Sequence, residues 1–338
     1  KIAQPVTDPA RQSGQADGEH RNVQISASDG GVAAYHIDQV IVEGVAEVKA
    51  ATTVLPIEAM VTDGPPFVGR ESELGRVAKL LSDEGEASDN ILVVSGPPGV
   101  GKTALLGQSA RAAHAAGQFG RVLFADLRGY EDDPDARVQP DAVLSRLLLL
   151  LGVDGDDMPI DPSAQAIHYH RRLDDLAAQG VPVLLWLDNV SERTQFDSLR
   201  PASPIHRLAI TTREAFGHIP TRLVVGVDVM NVQEAVSLLS ASARDRNPTD
   251  TRFNEQGEVA ERLAELCDRL PLALQIVAAL LADEPDRPIA ELVDEMASEE
   301  DRLSSLDYSS DLSVRTALSL SYKRLPAERQ RLFRLLSV

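Results

Sequence analysis

The chain has 338 residues, and its 52 acidic and 33 basic residues give a formal net charge of −19 at pH 7. This negative field repels nucleic acid, so we expect none as a partner unless a local basic patch binds it. Cys267 is the single cysteine of the sequence, which excludes an internal disulfide and suits a reducing compartment. Because no apolar run approaches the ~18 residues of a membrane span, we expect a cytoplasmic protein.

The N-terminal part of the chain differs in character from the rest. Residues 1–21 are polar and without periodicity, which predicts a disordered tail. Residues 22–60 are β-prone, and two strand-like runs at 22–25 and 35–42 flank a glycine turn at 28–31. A lone two-stranded hairpin is marginally stable in water, so this segment requires a partner.

Residues 65–228 alternate strand-like and helix-like segments. The predicted strands lie at 91–95, 121–126, 182–188, 207–211 and 222–227. The predicted helices lie at 70–82, 102–116, 139–151, 163–179 and 192–199. The strands are apolar on both faces, as in a parallel sheet that helices cover on both sides. The predicted fold class is therefore α/β, with the carboxyl ends of the strands along one edge.

The sequence becomes helical after this α/β region. Residues 229–308 predict a small helical bundle, and a further unit, 309–338, begins near Leu312. The predicted helices of the bundle lie at 233–243, 254–270, 272–282 and 288–296. Prolines stand between or at the start of these helices, where the ring is tolerated or ends a helix.

One motif carries nucleotide chemistry. Residues 96–103 fit G-x-x-x-x-G-K-[ST] between a predicted strand and a predicted helix. Glycines there allow backbone N–H groups to approach phosphate oxygens, and the helix dipole favours negative charge. The residues predicted to hold ATP or ADP in this loop are Gly96, Gly99, Val100, Gly101, Lys102, Thr103 and Ala104. We expect Lys102 to pair with the β- and γ-phosphates and Thr103 to bind Mg²⁺.

A second motif predicts the other magnesium ligand. The apolar run 183–187 ends at Asp188, and a carboxylate at the tip of such a strand lies near the Mg²⁺ shell. The next residue is Asn189, whose amide cannot take up a proton near neutral pH. Because a second acid at this position would polarise the attacking water, its absence predicts slow hydrolysis.

Polar residues elsewhere extend the predicted site. Arg213 follows the strand 207–211, where its guanidinium would bind the γ-phosphate, and the alternative is an exposed arginine at a strand end. The backbone near Val68, the start of the first helix at Arg70, and Pro271 are predicted to border the adenine. Asp126 and Arg128 follow the second strand, as a solvated pair or as a contact to the γ-phosphate or a neighbouring subunit.

These motifs together resemble the NB-ARC class of STAND ATPases, regulatory P-loop ATPases that include many actinobacterial regulators. The matching segments, in family order, are Phe-Val-Gly-Arg-Glu (67–71), the phosphate loop (96–103), Val-Leu-Phe-Ala-Asp-Leu-Arg-Gly-Tyr (122–130), Leu-Leu-Trp-Leu-Asp-Asn-Val (184–190), Ile-Thr-Thr-Arg-Glu (210–214) and Arg-Leu-Pro-Leu-Ala (269–273). Residues 319–326 resemble the opening of the family's winged-helix subdomain. Arg269 departs from the pattern, since glycine is usual there.

The resemblance implies a switch. The family binds ADP in a closed monomer and assembles into a homo-oligomer after exchange for ATP, with Lys102, Thr103, Asp188, Arg213 and Pro271 at matching positions. It also implies an unknown activating ligand, read by a C-terminal sensor that we expect to lie outside this chain. A second function remains open, an AAA-like ATPase acting on nucleic acid or in transcriptional regulation, because basic residues exceed acidic ones in 311–338.

The β-prone segment carries a fainter resemblance to amyloid-signalling motifs that precede bacterial NB-ARC modules. Its two β-branched arms and glycine turn would stack in register with identical chains, which predicts an amyloid-like assembly that recruits a downstream effector with the same motif. The alternatives are a strand pair docked on the protein and an unstructured tether.

Overall fold

A computed structural model describes most of the chain from residue 54 onward. The described ranges are 54–60, 66–82, 90–131, 133–304 and 312–336. The predicted tail and hairpin, residues 1–53, lie outside the described residues, so their disorder and their amyloid-like stacking stay predictions.

The described strands form one twisted sheet. They are β1 (Val54–Pro56), β2 (Ile91–Ser95), β3 (Arg121–Asp126), β4 (Val183–Asp188), β5 (Arg207–Thr212) and β6 (Val224–Gly226). Their spatial order is β1-β3-β4-β5-β2-β6, and the five strands β3, β4, β5, β2 and β6 are parallel to one another. The α/β fold class is confirmed, and the strand that precedes the phosphate loop lies between β5 and β6.

The sheet is not wholly parallel, which corrects one expectation. The edge strand β1 pairs antiparallel with β3, with Val54 opposite Ala125. It comes from the segment 22–60 that the sequence analysis treated as an N-terminal motif. Three residues are too short to show a periodicity, so the sequence carried no signal for this strand.

Helices cover the sheet and make up the C-terminal part. They are α1 (Glu71–Ser82), α2 (Lys102–Ala115), α3 (Pro140–Leu150), α4 (Pro162–Ala178), α5 (Val232–Arg246), α6 (Arg252–Glu255), α7 (Gly257–Leu266), α8 (Pro271–Ala282), α9 (Ile289–Ser304), α10 (Leu312–Arg324) and α11 (Ala327–Leu336). Within the described ranges, no helix combines the length and the apolar character that crossing a bilayer requires.

Two helix predictions were wrong. The segment 192–199 forms two 3-10 turns, Arg193–Gln195 and Asp197–Leu199. The predicted helix 254–270 is interrupted at Gln256 (φ −120°, ψ 53°), and its longer part ends at Leu266. Both segments have helix-forming residues, so backbone breaks set by tertiary contacts overrode local propensity.

Neighbouring residues of each strand alternate between two apolar layers. On β2, Leu92 and Val94 face the layer that contains α2, whereas Ile91 and Val93 face the layer of α3 and α4. The layer of Leu92 continues without interruption into residues of α5, α7, α8 and α10. The helical region and one face of the sheet therefore share a core, so movements of the one are coupled to the other.

Arg252 fixes the carboxyl end of α8. Its guanidinium donates to the carbonyls of Leu281 at 2.7 Å, Glu284 at 3.0 Å and Arg287 at 2.7 Å, and it pairs with the buried Asp250 at 2.6 Å. The hydrogen bonds from Arg252 hold the pKa of Asp250 below its usual value. One carbonyl of the last turn of α8 and two carbonyls of the segment that follows it are therefore held by one side chain.

We predict that Arg252→Leu destabilises the protein by about 3–5 kcal/mol, because it leaves the Asp250 charge buried without its partner. The matched control is Arg262→Leu, which removes an exposed ion pair with Glu265 and is expected to cost less than ~1 kcal/mol. Urea unfolding followed by circular dichroism measures both. Equal, small effects of the two substitutions would contradict this role of Arg252.

Candidate nucleotide-binding site

The phosphate loop connects β2 to α2 in a conformation that requires glycine. A Cβ on Gly96 would lie 2.1 Å from the carbonyl oxygen of Val227, closer than any real contact. Gly101 begins the helix at φ 94°, in the left-handed region. Helix α2 has no side-chain cap and no acidic residue in its first turn. Its N–H groups are therefore arranged to bind an anion.

Lys102 is a buried cation inside this loop. Its amine donates to the carbonyls of Gly96 at 2.9 Å and Pro97 at 2.8 Å. The pKa of Lys102 is lowered to about 8, chiefly by burial; the carboxylate of Asp188 opposes this shift, and the positive charge of Arg213 adds to it. A phosphate beside Lys102 would offset both the lost hydration and the repulsion from Arg213.

Thr103, in the first turn of α2, contacts Asp188 at the end of β4. The Thr103 hydroxyl lies 3.0 Å from each carboxylate oxygen of Asp188, and the Thr211 hydroxyl donates to the same carboxylate at 2.5 Å. Asp188 is 2% exposed, and burial raises its pKa to about 6 although the hydroxyls oppose that shift. Hydroxyl and carboxylate oxygens are hard ligands that suit Mg²⁺. These residues therefore fit the metal ion, which would bring the carboxylate to its charged form.

Asn189 bridges two carboxylates. Its side-chain amide donates to Asp126 at 3.0 Å and to Asp188 at 3.3 Å, and its backbone N–H donates to the Thr211 hydroxyl at 3.0 Å. Asn189 has φ 56°, a conformation that asparagine tolerates better than most residues. Asp126 accepts from Asn189 and from the backbone N–H of Arg128 at 3.0 Å.

Arg213 lies at the end of β5, next to the strand that leads into the loop. Its guanidinium carbon is 4.3 Å from the centre of the Tyr130 ring, and its backbone N–H donates to the Tyr130 hydroxyl at 2.7 Å. Sequence reasoning missed Tyr130, since an aromatic residue that follows Gly129 is as typical of a core as of a site. The expected contact of Arg213 with a γ-phosphate stays a prediction.

Arg70 turns out to brace the loop. Its guanidinium donates to the Val100 carbonyl at 3.5 Å and to the Asp228 carbonyl, and it pairs with Glu73 at 2.9 Å. Arg70 itself has φ 68° and is buried. The neighbouring Val68 is half-buried and packs against the core. Contacts of this segment with an adenine ring stay a prediction.

Helix α8 begins directly on the phosphate loop. Leu272 donates its backbone N–H to the Gly99 carbonyl at 3.4 Å, and Pro271 occupies the first turn of the helix. Arg269, which stands where the family usually has glycine, has φ 55°. A positive φ favours glycine, which explains why the family usually has glycine at this position. In this chain an arginine adopts the same backbone conformation. Pro271 therefore lies beside the loop, and its predicted contact with adenine stays a prediction.

Known proteins resemble this chain over most of its described length. A family model described as an AAA ATPase domain matches residues 66–336. The regulatory protein AfsR of Streptomyces griseus is 31% identical over 233 residues, which are 67% of this chain and 22% of that protein. The "Probable disease resistance RPP8-like protein 4" of Arabidopsis thaliana is 31% identical over 182 residues, 51% of this chain and 20% of that protein.

A Walker-type ATPase of Pyrococcus abyssi of known structure is 17% identical, with a TM-score of 0.48 over 80% of this chain and 88% of that one. The chain spans about a fifth of the length of the curated relatives named above.

We predict that Asp188→Asn stabilises the nucleotide-free protein, and more so at high pH. The folded pKa of about 6 exceeds the ordinary 3.8, so the folded state binds more protons and the wild type loses stability as pH rises between these values. The stability of the variant relative to wild type should increase by about 3 kcal/mol through that window and then level off. Thermal unfolding with EDTA from pH 4 to 8 measures it.

The matched control is Asp175→Asn, which changes an exposed carboxylate of α4. Its stability relative to wild type should not change with pH in this way. An advantage of Asp188→Asn that is the same at pH 4 and pH 8 would contradict the assignment of a raised pKa to Asp188.

Proposed function

The chain belongs to the AAA ATPase domain family, and on that premise we propose that it is a regulatory ATPase that switches between ADP-bound and ATP-bound states. The observation that carries this proposal is the contact between α8 and the phosphate loop, through the Leu272 N–H and the Gly99 carbonyl. A loop that both surrounds phosphate and supports a helix of the C-terminal region links nucleotide state to helix position. The relative AfsR is described as a regulatory protein, which supports a regulatory role for this chain.

Switching requires contacts that differ between the two nucleotides, because a ligand bound equally in two states shifts neither. ADP and ATP differ by one phosphate, so the cations near that phosphate must distinguish them. Lys102 and Arg213 are these cations, and their mutual repulsion is felt in the lowered pKa of Lys102. Mg²⁺, held by Thr103 and Asp188, would neutralise further phosphate charge when bound.

Slow hydrolysis is part of the proposal. Asn189 occupies the position after the strand-end Asp188, and its amide already donates to two carboxylates. It therefore supplies no base for an attacking water. The bound ATP would persist long enough to define an active state, and a single-turnover hydrolysis measurement tests this.

We further propose that the ATP state assembles into a homo-oligomer and brings the N-terminal segments together. Clustering would raise the local concentration of the β-prone residues 22–54 and nucleate their stacking. Thioflavin fluorescence of a peptide of residues 20–50 tests the stacking. We propose that a region outside this chain binds the activating ligand. In support, the chain covers only about a fifth of the length of the two curated relatives.

The alternative of action on nucleic acid finds no support in α10. Lys323 pairs with Glu299 at 2.6 Å and Arg324 with Glu295 at 2.8 Å. These basic residues are therefore occupied by acids of α9 and serve contacts between helices. A salt-dependent gel shift with duplex DNA would reverse this judgement.

We predict that Lys102→Ala abolishes nucleotide binding, whereas Arg213→Ala retains ADP but fails to assemble with ATP. The loss of Lys102 removes the cation inside the loop, whereas the loss of Arg213 removes a contact specific to the third phosphate. Fluorescent-nucleotide titration and light scattering measure the two effects. Arg193→Ala is the control, because it removes an exposed guanidinium that pairs with Asp197.

Assembly of Arg213→Ala with ATP to the same extent as wild type would exclude this arginine as the residue that reads the γ-phosphate. Binding of ADP by Lys102→Ala with wild-type affinity would contradict the site itself.

A further inference from the structure

We propose that Tyr130 is a positioning residue that fixes Arg213 at the phosphate site and thereby sets the preference for ATP over ADP. The inference rests on the proposed function, in which Arg213 binds the third phosphate. Tyr130 is the last residue of the segment 122–130, and the proposed function gives it no role of its own.

The hydroxyl of Tyr130 joins the ends of two neighbouring strands. It accepts the backbone N–H of Arg213 at 2.7 Å, lies 2.8 Å from the Thr212 hydroxyl, and donates to the Val190 carbonyl at 3.1 Å. Thr212 and Arg213 belong to the end of β5, and Val190 follows β4. One phenol group therefore fixes the backbone from which the Arg213 side chain begins.

The ring of Tyr130 contacts the charged end of the Arg213 side chain. The Arg213 guanidinium carbon lies 4.3 Å from the ring centre, within the range of a cation–π interaction. A long, exposed arginine would otherwise sample many rotamers, and ordering them would reduce its affinity for phosphate. Contact at both the backbone and the guanidinium restricts Arg213 to few orientations before any nucleotide arrives.

Gly129 explains why Tyr130 is itself well placed. Its N–H donates to the Asn189 carbonyl at 2.7 Å, and a Cβ at this position would lie 2.6 Å from that oxygen and 2.6 Å from the Ser191 nitrogen. The segment after β3 can therefore lie flat against the segment after β4. Tyr130 is therefore held beside the segment after β4 by a backbone contact of Gly129 that a larger residue would prevent.

The position of the pair matters because β5 is the neighbour of β2 in the sheet. Its carboxyl end therefore opens beside the phosphate loop, where the third phosphate would lie. Removal of the ring would leave Arg213 charged and present but unrestrained, so ATP should lose affinity while ADP, which lacks the third phosphate, should not.

The experiment compares Tyr130→Leu, Tyr130→Phe, Arg213→Ala and the double variant Tyr130→Leu/Arg213→Ala in the full chain. Calorimetry gives the affinity of each for ADP and for a non-hydrolysable ATP analogue, both with Mg²⁺. We expect Tyr130→Leu to weaken analogue binding by about 3- to 30-fold, with ADP affinity unchanged within about 2-fold. Tyr130→Phe keeps the ring and should lose less. In the Arg213→Ala background, Tyr130→Leu should have no further effect.

The outcomes separate the two proposals. If Arg213→Ala leaves the ratio of analogue to ADP affinity unchanged, the proposed reading of the third phosphate fails. If Arg213→Ala lowers that ratio but Tyr130→Leu does not, the role of Tyr130 alone is overturned. Equal weakening of both nucleotides by Tyr130→Leu, or an effect that persists in the double variant, would show a general structural role and also overturn it. A melting temperature of Tyr130→Leu close to wild type confirms that the comparison reports on folded protein.

Discussion

A buried ammonium group is the constraint on which the site depends. Lys102 lies inside a tight glycine loop, where its amine donates hydrogen bonds to loop carbonyls. Lost hydration and the positive charge of Arg213 lower its pKa. Nearby, Asp188 is buried with its pKa raised. Each group is less favourable in its charged form than it would be in water. A phosphate for the lysine and a divalent cation for the carboxylate would remove both penalties together, so the nucleotide-free site is arranged for the pair of ligands.

The same loop is the place where ligand binding can affect the rest of the molecule. Helix α8 begins on Gly99, its far end is held by Arg252, and its apolar residues join the layer beneath the sheet. A helix that is held at both ends moves as a unit, because packed cores shift between discrete arrangements more easily than they deform. Phosphate binding at the start of α8 is therefore coupled to a helical region rather than to one side chain.

The sequence predicted the parts of the site that are encoded locally. The phosphate loop and Asp188 are recognisable because spacing and neighbouring apolar residues fix their place, whereas Pro271 was expected there only because the motif resembles that of a known family. Tertiary contacts decided what was missed. Gln195 donates to the Leu127 and Val138 carbonyls and accepts from the Ser191 N–H, which breaks the helix expected at 192–199. The hydrogen bonds from Arg70 to carbonyls in distant parts of the chain also have no local signal in the sequence. Tyr130 follows β3 and Arg213 follows β5, so the two meet only because the folded sheet places these strands on either side of β4.

The most direct test of the buried cation is calorimetry of ADP binding in two buffers of different ionisation enthalpy at pH 8. With a pKa of about 8, Lys102 is about half protonated before binding, and contact with phosphate should raise its pKa and complete its protonation. The account predicts binding with an uptake of roughly half a proton, which Lys102→Ala abolishes together with binding. Binding with no proton uptake, or no binding of ADP at all, would contradict it.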